Sequence, residues 1–221
     1  MTTTLVLGAT GLVGSAVVHQ LMQTKGVKKI ITLTRRRLPH EQLYPKNNSL
    51  ENHIVDFSRL DSYASLFHVD IVFLCLGTTR KQAGSIAAQR IVDFDYQLKA
   101  AQLAEAQGVN HLLLVSSSGA NALSNSPYLQ MKGELEQALE TLSIPYISIF
   151  QPSLLLGERS ETRLGEKLGG WFLPLLCLLP GLKRYRPIQG EEVARKMIHI
   201  SQEQQAEGIQ RYTLDEIFIQ P

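Results

Sequence analysis

The chain has 221 residues, 44% of them apolar and 19% charged, which is ordinary usage for a packed domain and excludes a disordered or coiled-coil chain. Its formal charge of +2 gives no general nucleic-acid footprint, so no nucleic-acid partner is expected. The basic residues are unevenly spread: Lys25, Lys28, Lys29, Arg35, Arg36 and Arg37 fall within residues 1–40, which hold no acid, and this suggests a local anion site.

Short β-rich runs alternate with helical patterns along the chain. The predicted strands are 3–9, 28–34, 52–56, 70–76, 111–117 and 145–150. Leu12–Met22, Ser62–Phe67, Ile86–Gln107 and Tyr128–Leu142 have helical spacing or composition, and a final helix (191–204) and strand (210–215) close the chain. This alternation predicts an α/β fold with a doubly wound parallel sheet. Ile71–Leu76 and Leu112–Val115 are unbroken apolar runs, as strands covered on both faces require. After Pro152 the texture becomes rich in Gly, Leu and Pro. No linker separates 153–221, which is expected to be a small covering region of the same domain.

Cys75 and Cys177 both sit in apolar runs and cannot form a disulfide framework. Buried, reduced thiols fit a cytoplasmic protein. Thr4–Leu7 already has strand character and no charged region precedes it, so no secretory leader is expected. The apolar, uncharged stretch Leu168–Leu182 contains Pro174 and Pro180 and falls short of the roughly 20 apolar residues a spanning helix needs. No integral membrane segment is expected.

Gly8-Ala9-Thr10-Gly11-Leu12-Val13-Gly14 follows the first strand and opens the first helix. Glycines there permit a tight turn and close approach of backbone to a pyrophosphate, whose charge the helix N-terminus favours. The second strand ends Thr34-Arg35-Arg36-Arg37, with Arg35 21 positions after Gly14. A dinucleotide without a 2′-phosphate ordinarily meets a carboxylate at this place, and none is available. Guanidinium groups match a 2′-phosphate in two-pronged geometry, so the expected cofactor is NADP(H). Asp56 and Phe57 end the third strand and could hold the adenine edge and face; equally, Asp56 could cap the following turn. Leu76, Gly77, Thr78 and Thr79 end the fourth strand, where ligands sit in doubly wound sheets.

The fifth strand ends Ser116-Ser117-Ser118-Gly119, and Tyr128 and Lys132 follow at i and i+4, on one helix face. An ammonium beside a phenol favours the phenolate, which equips the phenol to exchange a proton with a carbonyl or carbinol oxygen. A serine hydroxyl, Ser117 or Ser116, would hold that oxygen. The six histidines show no ligand spacing, so no metal is expected. Glu134, Glu136 and Glu140 suggest a solvated helix face.

These residues, from Gly8-Ala9-Thr10-Gly11 through Cys75-Leu76-Gly77-Thr78-Thr79 and Ser116-Ser117 to Tyr128-Leu129-Gln130-Met131-Lys132-Gly133, resemble the short-chain dehydrogenase/reductase superfamily in its atypical, extended-like form. Within that superfamily they resemble the Tat-interacting-protein-2-like oxidoreductase family. The resemblance implies a Rossmann fold, NADP(H), a Ser117–Tyr128–Lys132 proton relay, and Pro152 and Ser153 beside the nicotinamide. The superfamily's helix-four asparagine would correspond to Asp95. Homodimer pairing through helices 86–107 and 128–142 is compatible with the resemblance.

Two functions follow. One is an NADP(H)-dependent oxidoreductase acting on a carbonyl or alcohol of a small, apolar substrate. The other is an NADP(H)-binding redox sensor with little or no catalysis. A sugar-nucleotide epimerase fits poorly, because little chain follows Pro152 to build a second nucleotide site. Arg163, Arg184 and Arg186 could meet a charged ligand. Residues 164–182, with Trp171, Phe172, Leu175 and Leu176, form an apolar segment for which a lid, a subunit contact or a membrane contact all fit, the lid best.

Overall fold

Alternation of side chains along each strand divides the core between the two faces of the sheet. The structure, a computed structural model, describes residues 1–36, 49–156, 186–203 and 206–218. Its first half comprises β1 (Thr2–Leu7), α1 (Leu12–Leu21), β2 (Val27–Thr34), β3 (Leu50–Ile54), a 3₁₀ stretch (Phe57–Phe67), β4 (Ile71–Leu74), α2 (Arg80–Ala83) and α3 (Ile86–Arg90). A π-helical turn (Ile91–Asp95) leads into α4 (Tyr96–Ala106), followed by β5 (His111–Val115), α5 (Pro127–Leu139), β6 (Tyr146–Gln151) and β7 (Leu155–Leu156). After residue 185 come β8 (Ile188–Gln189), α6 (Gly190–Gln202), β9 (Gly208–Thr213) and a 3₁₀ turn (Leu214–Ile217).

Among the described residues, seven strands form one parallel sheet in the order β3-β2-β1-β4-β5-β6-β9. The chain first winds outward from β1 through β2 to β3, then returns to β4 on the other side of β1. That reversal opens a crevice at the carboxyl ends of β1 and β4. The pleat divides the core. Leu5, Leu7, Val72, Leu74, Leu112 and Leu114 join one buried cluster with Ala100 and Ala104 of α4 and Leu135 and Leu139 of α5. Val6, Phe73, Leu113, Val115 and Phe150 join the other, with Val17 and Val18 of α1 and Val193 and Met197 of α6. The predicted doubly wound α/β sheet is therefore the observed one. Emptying one such fully buried position by a Leu→Ala change costs about 2–5 kcal/mol.

Local chemistry moves several boundaries. The first strand stops at Leu7 because Gly8 adopts φ +86°, outside the strand region. The third strand starts two residues earlier than expected; its Asn52 accepts from the buried Thr32 and Thr34 hydroxyls at 2.8 and 3.0 Å. The helix expected over 86–107 is interrupted by the π turn. The short strands β7 and β8 form a small parallel pair, Leu155 opposite Ile188 and Leu156 opposite Gln189. The apolar segment 164–182, with Arg37, Arg163, Arg184 and Cys177, lies outside the described residues. No helix among the described residues is long and apolar enough to cross a membrane.

His111, at the start of β5, is buried, and its Nε2 lies 2.9 Å from the Ser148 hydroxyl. Burial pushes its pKa down from 6.5 to about 4, so the folded chain keeps the ring neutral where the unfolded chain protonates it. The unfolded state then binds more protons between these values, and stability falls as pH drops from 6.5 to 4, by at most about 3 kcal/mol. Denaturant unfolding across that range should show this loss in the wild type and a flatter profile in His111→Gln. Parallel profiles would contradict it.

Candidate active site

All the strands of the main sheet run the same way, so every loop at their carboxyl ends emerges on one edge. That edge collects Gly8–Gly14, Arg35–Arg36, Leu76–Thr79, Ser116–Ser117 and Gln151–Ser153.

The glycine turn is held by close backbone contacts. A Cβ on Gly8 would lie 2.4 Å from the Cys75 carbonyl oxygen, and one on Gly14 would lie 2.2 Å from the Gly8 carbonyl oxygen. The Gly11 N–H donates to the Gly8 carbonyl at 2.9 Å and turns the chain into α1. Gly11 is the N-cap and offers no side chain, and the first turn carries no acid. The N–H groups from Leu12 to Gly14 are thus left without a side-chain cap at the positive end of the helix dipole. Thr10 is exposed at the tip, while Val13 is buried against the sheet, so its contribution to a ligand would be its backbone. A dinucleotide pyrophosphate fits this cradle.

Arg35 and Arg36 are both exposed beyond β2 and pair with no carboxylate among the described residues. Past β3, Asp56 is a turn cap: its Oδ1 accepts from the Ser58 N–H at 2.9 Å and the Ser58 hydroxyl at 2.7 Å. Those hydrogen bonds, the hydroxyl's first, hold its carboxyl below its ordinary pKa. Phe57 is a correction to the expected adenine face. It is buried with its ring 5.6 Å from Tyr96, and its aromatic surface belongs to the core.

Beyond β4, Leu76 packs against the core and Gly77 is exposed. The Thr78 N–H donates to Asp93 Oδ1 at 2.8 Å, and the Thr79 hydroxyl caps α2 by accepting from the Gln82 N–H at 3.2 Å. Asp93 has no exposure; its other oxygen accepts from Gln89 Nε2 at 3.0 Å. The sequence comparison pointed to Asp95, but Asp95 is exposed and the π turn directs Asp93 inward instead. Cys75 is desolvated, which pushes its thiol up to about 12, the Lys132 charge opposing only part of the rise.

At the end of β5, Lys132 is 3% exposed and its Nζ donates to the Val115 carbonyl at 3.3 Å. Tyr128, one turn earlier on α5, is 38% exposed. The turn after Ser117 folds onto the first turns of this helix: the Asn121 N–H donates to the Leu129 carbonyl at 3.1 Å. Gly133 admits that approach, since a Cβ there would lie 2.2 Å from the Ala122 nitrogen. Ser117 and Ser116 differ in what they touch. Ser117 is half-buried with only a long 3.4 Å contact to the Ser118 carbonyl, whereas the buried Ser116 hydroxyl donates to Glu136. The Ser116 hydroxyl is therefore committed to Glu136, whereas the Ser117 hydroxyl is held by no carboxylate. Pro152 is buried and its carbonyl accepts from the Ser118 N–H at 2.9 Å; the Ser153 hydroxyl donates to the Arg186 carbonyl at 2.5 Å.

The acids of α5 do not form one solvated face. Glu134 pairs with Arg90 at 2.5 Å and Glu140 pairs with Arg211, but Glu136 is 5% exposed. Composition alone hid this, since Glu136 differs from its neighbours only in facing the same way as Lys132, four residues before it.

A doubly wound parallel sheet with a glycine cradle at its reversal point defines a Rossmann-type dinucleotide-binding protein. A family model described as NAD(P)H-binding matches residues 8–170, and the chain belongs to that family. Protein HTATIP2 of Rattus norvegicus is 41% identical over 76% of this chain and 68% of its own length. The mitochondrial Protein FMP52 of Candida glabrata is 35% identical over 86% and 81%, and that of Saccharomyces cerevisiae is 32% identical over 89% and 86%. The resemblance to the Tat-interacting-protein-2-like oxidoreductases stands. The expectation of a cytoplasmic location does not, because the fungal relatives are designated mitochondrial. In fold, the chain is similar to the Bordetella bronchiseptica enzyme WbmG in complex with NAD, with a TM-score of 0.69 at 14% identity over 96% of this chain and 72% of that one.

Gly14→Ala should lower stability by about 1–3 kcal/mol and weaken dinucleotide binding at least tenfold, because its Cβ has no room beside the Gly8 carbonyl. Thermal unfolding and calorimetric titration measure the two. Unchanged values would mean the turn relaxes freely.

Proposed function

We propose that the protein is an NADP(H)-dependent oxidoreductase of the short-chain dehydrogenase/reductase type, acting on a carbonyl or alcohol of a small, apolar substrate. The observation that carries the reading is Lys132, buried against the Val115 carbonyl, with Tyr128 exposed one turn earlier and Ser117 on the facing strand end. Arg35 and Arg36 would hold the 2′-phosphate. Gly8, Gly11 and Gly14 with the first-turn N–H groups would hold the pyrophosphate. Gly77 allows close approach of the ribose and nicotinamide half, while Thr78, Pro152 and Ser153 border it.

When bound, the reduced dinucleotide supplies a hydride to the carbonyl carbon. Ser117 orients the carbonyl oxygen through its hydroxyl. Tyr128 gives that oxygen its phenolic proton, so that the C=O bond becomes an alcohol; oxidation runs the same proton back to Tyr128. Lys132 would stabilise the negative charge left on the phenol oxygen and would hold the ribose hydroxyls.

NADP(H) should bind at least tenfold more tightly than NAD(H), a difference of about 1.4 kcal/mol, and Arg35→Asp should abolish the preference. Calorimetric titration with both cofactors decides this; equal affinities would refute the 2′-phosphate assignment.

Tyr128→Phe should retain dinucleotide affinity and lose roughly 100-fold or more in turnover on a carbonyl substrate found by following NADPH oxidation. Full activity in the variant would place the proton donor elsewhere. A wild-type protein that binds NADPH and reduces no carbonyl in a broad panel would favour the redox-sensing reading.

A further inference from the structure

The Glu136 carboxylate is the one strongly buried acid of α5, and the proton transfer proposed above does not use it. It gathers three groups. The Ser116 hydroxyl donates to Oε1, Gln151 Nε2 lies 2.9 Å from both oxygens, and Arg211 Nε lies 3.6 Å from Oε2. Arg211 also pairs with Glu140, so a cation from β9 offsets the buried charge. Burying a carboxylate is costly unless such partners surround it.

The partners sit where the site is built. Ser116 stands between Val115, whose carbonyl receives the Lys132 ammonium, and Ser117. Gln151 ends β6 directly before Pro152, whose carbonyl receives the Ser118 N–H. One carboxylate thus ties the ends of β5 and β6 to the helix that carries Tyr128 and Lys132. The candidate pyrophosphate cradle is at β1 and the arginines at β2, so the adenine half of a bound dinucleotide would lie toward β2 and the nicotinamide half toward β4, β5 and β6.

We propose that Glu136 is a positioning residue that sets the nicotinamide side of the site, through Ser116 and Gln151, and has no part in holding the adenine side. This rests on the dinucleotide orientation just given, and its test does not depend on finding a substrate.

The test compares the intact dinucleotide with ADP-ribose or its 2′-phosphate, the same molecule without nicotinamide. Binding is measured by calorimetry to the full chain carrying Glu136→Gln and, separately, Gln151→Ala. Glu136→Gln keeps the side chain's size but leaves Arg211 without its inner acceptor and forces the Gln151 amide to turn. Gln151→Ala removes one arm and leaves the carboxylate intact. Each should weaken the intact dinucleotide about tenfold while the nicotinamide-free fragment stays within twofold of wild type. Equal weakening of both ligands would show a general structural role, and no change in either would show no role; both outcomes overturn the proposal. Carbonyl reduction assayed on the wild type tests the oxidoreductase reading separately. An inactive wild type whose variants still split the two ligands would sink that reading and leave this one standing.

Discussion

The anion-binding end of the carboxyl edge depends on one near-contact, the Gly8 backbone against the Cys75 carbonyl. The chain leaves two adjacent parallel strands there toward opposite faces of the sheet, and the first must turn at once into a helix. Any side chain at Gly8 would occupy the place of the neighbouring strand's carbonyl. With none, α1 starts close enough to the sheet for its free N–H groups to face the crevice. Gly14 then fixes the helix against the turn it came from, its α-carbon stacked over the Gly8 carbonyl. The start of α1 and the anion-binding geometry follow from this contact, because both would shift if α1 were displaced by a methyl group.

The other end of the crevice is organised differently. Where β1 presents bare backbone, β4, β5 and β6 are pinned by two buried carboxylates. Asp93 holds the backbone after β4 through the Thr78 N–H, and Glu136 holds the ends of β5 and β6 through Ser116 and Gln151. Neither acid needs to touch a substrate to matter. Each replaces a loop's freedom with a charge-assisted hydrogen bond of fixed direction, stronger than a neutral one. The hydroxyls and amides that would face a ligand are thus set by groups one layer behind them.

The sequence made the sheet legible because its signals are local. Unbroken apolar runs such as Leu112–Val115 mark strands covered on both faces, and glycines spaced after a strand mark the turn. Tyr128 and Lys132 could be found because residues four apart on a helix share a face. The orientation of a single acid is not local. Glu134, Glu136 and Glu140 look alike in the chain, and only the rotation of α5 against β5 and β9 separates the buried one from the half-buried Glu134 and the exposed Glu140. Asp93 escaped for a related reason, since regular helical spacing carried across 86–107 does not anticipate the π turn. Phe57 was misplaced because an aromatic residue after a strand suits a ligand face and a core equally well. The 3₁₀ stretch it begins packs on α4, which settles the matter only in three dimensions.

The π turn has a consequence for how such a site can change over generations. A π turn behaves as one residue inserted into an α-helix, and one residue corresponds to a rotation of about 100°. Removing a residue between Ile91 and Asp95 would restore a regular helix and swing the whole upstream stretch, Asp93's neighbour Gln89 included, to another face. The Thr78 N–H would lose its acceptor although no residue of the crevice had been replaced. Lineages can therefore alter this corner by a single-codon deletion or insertion within a helix, a kind of variation that an inventory of substituted positions would overlook.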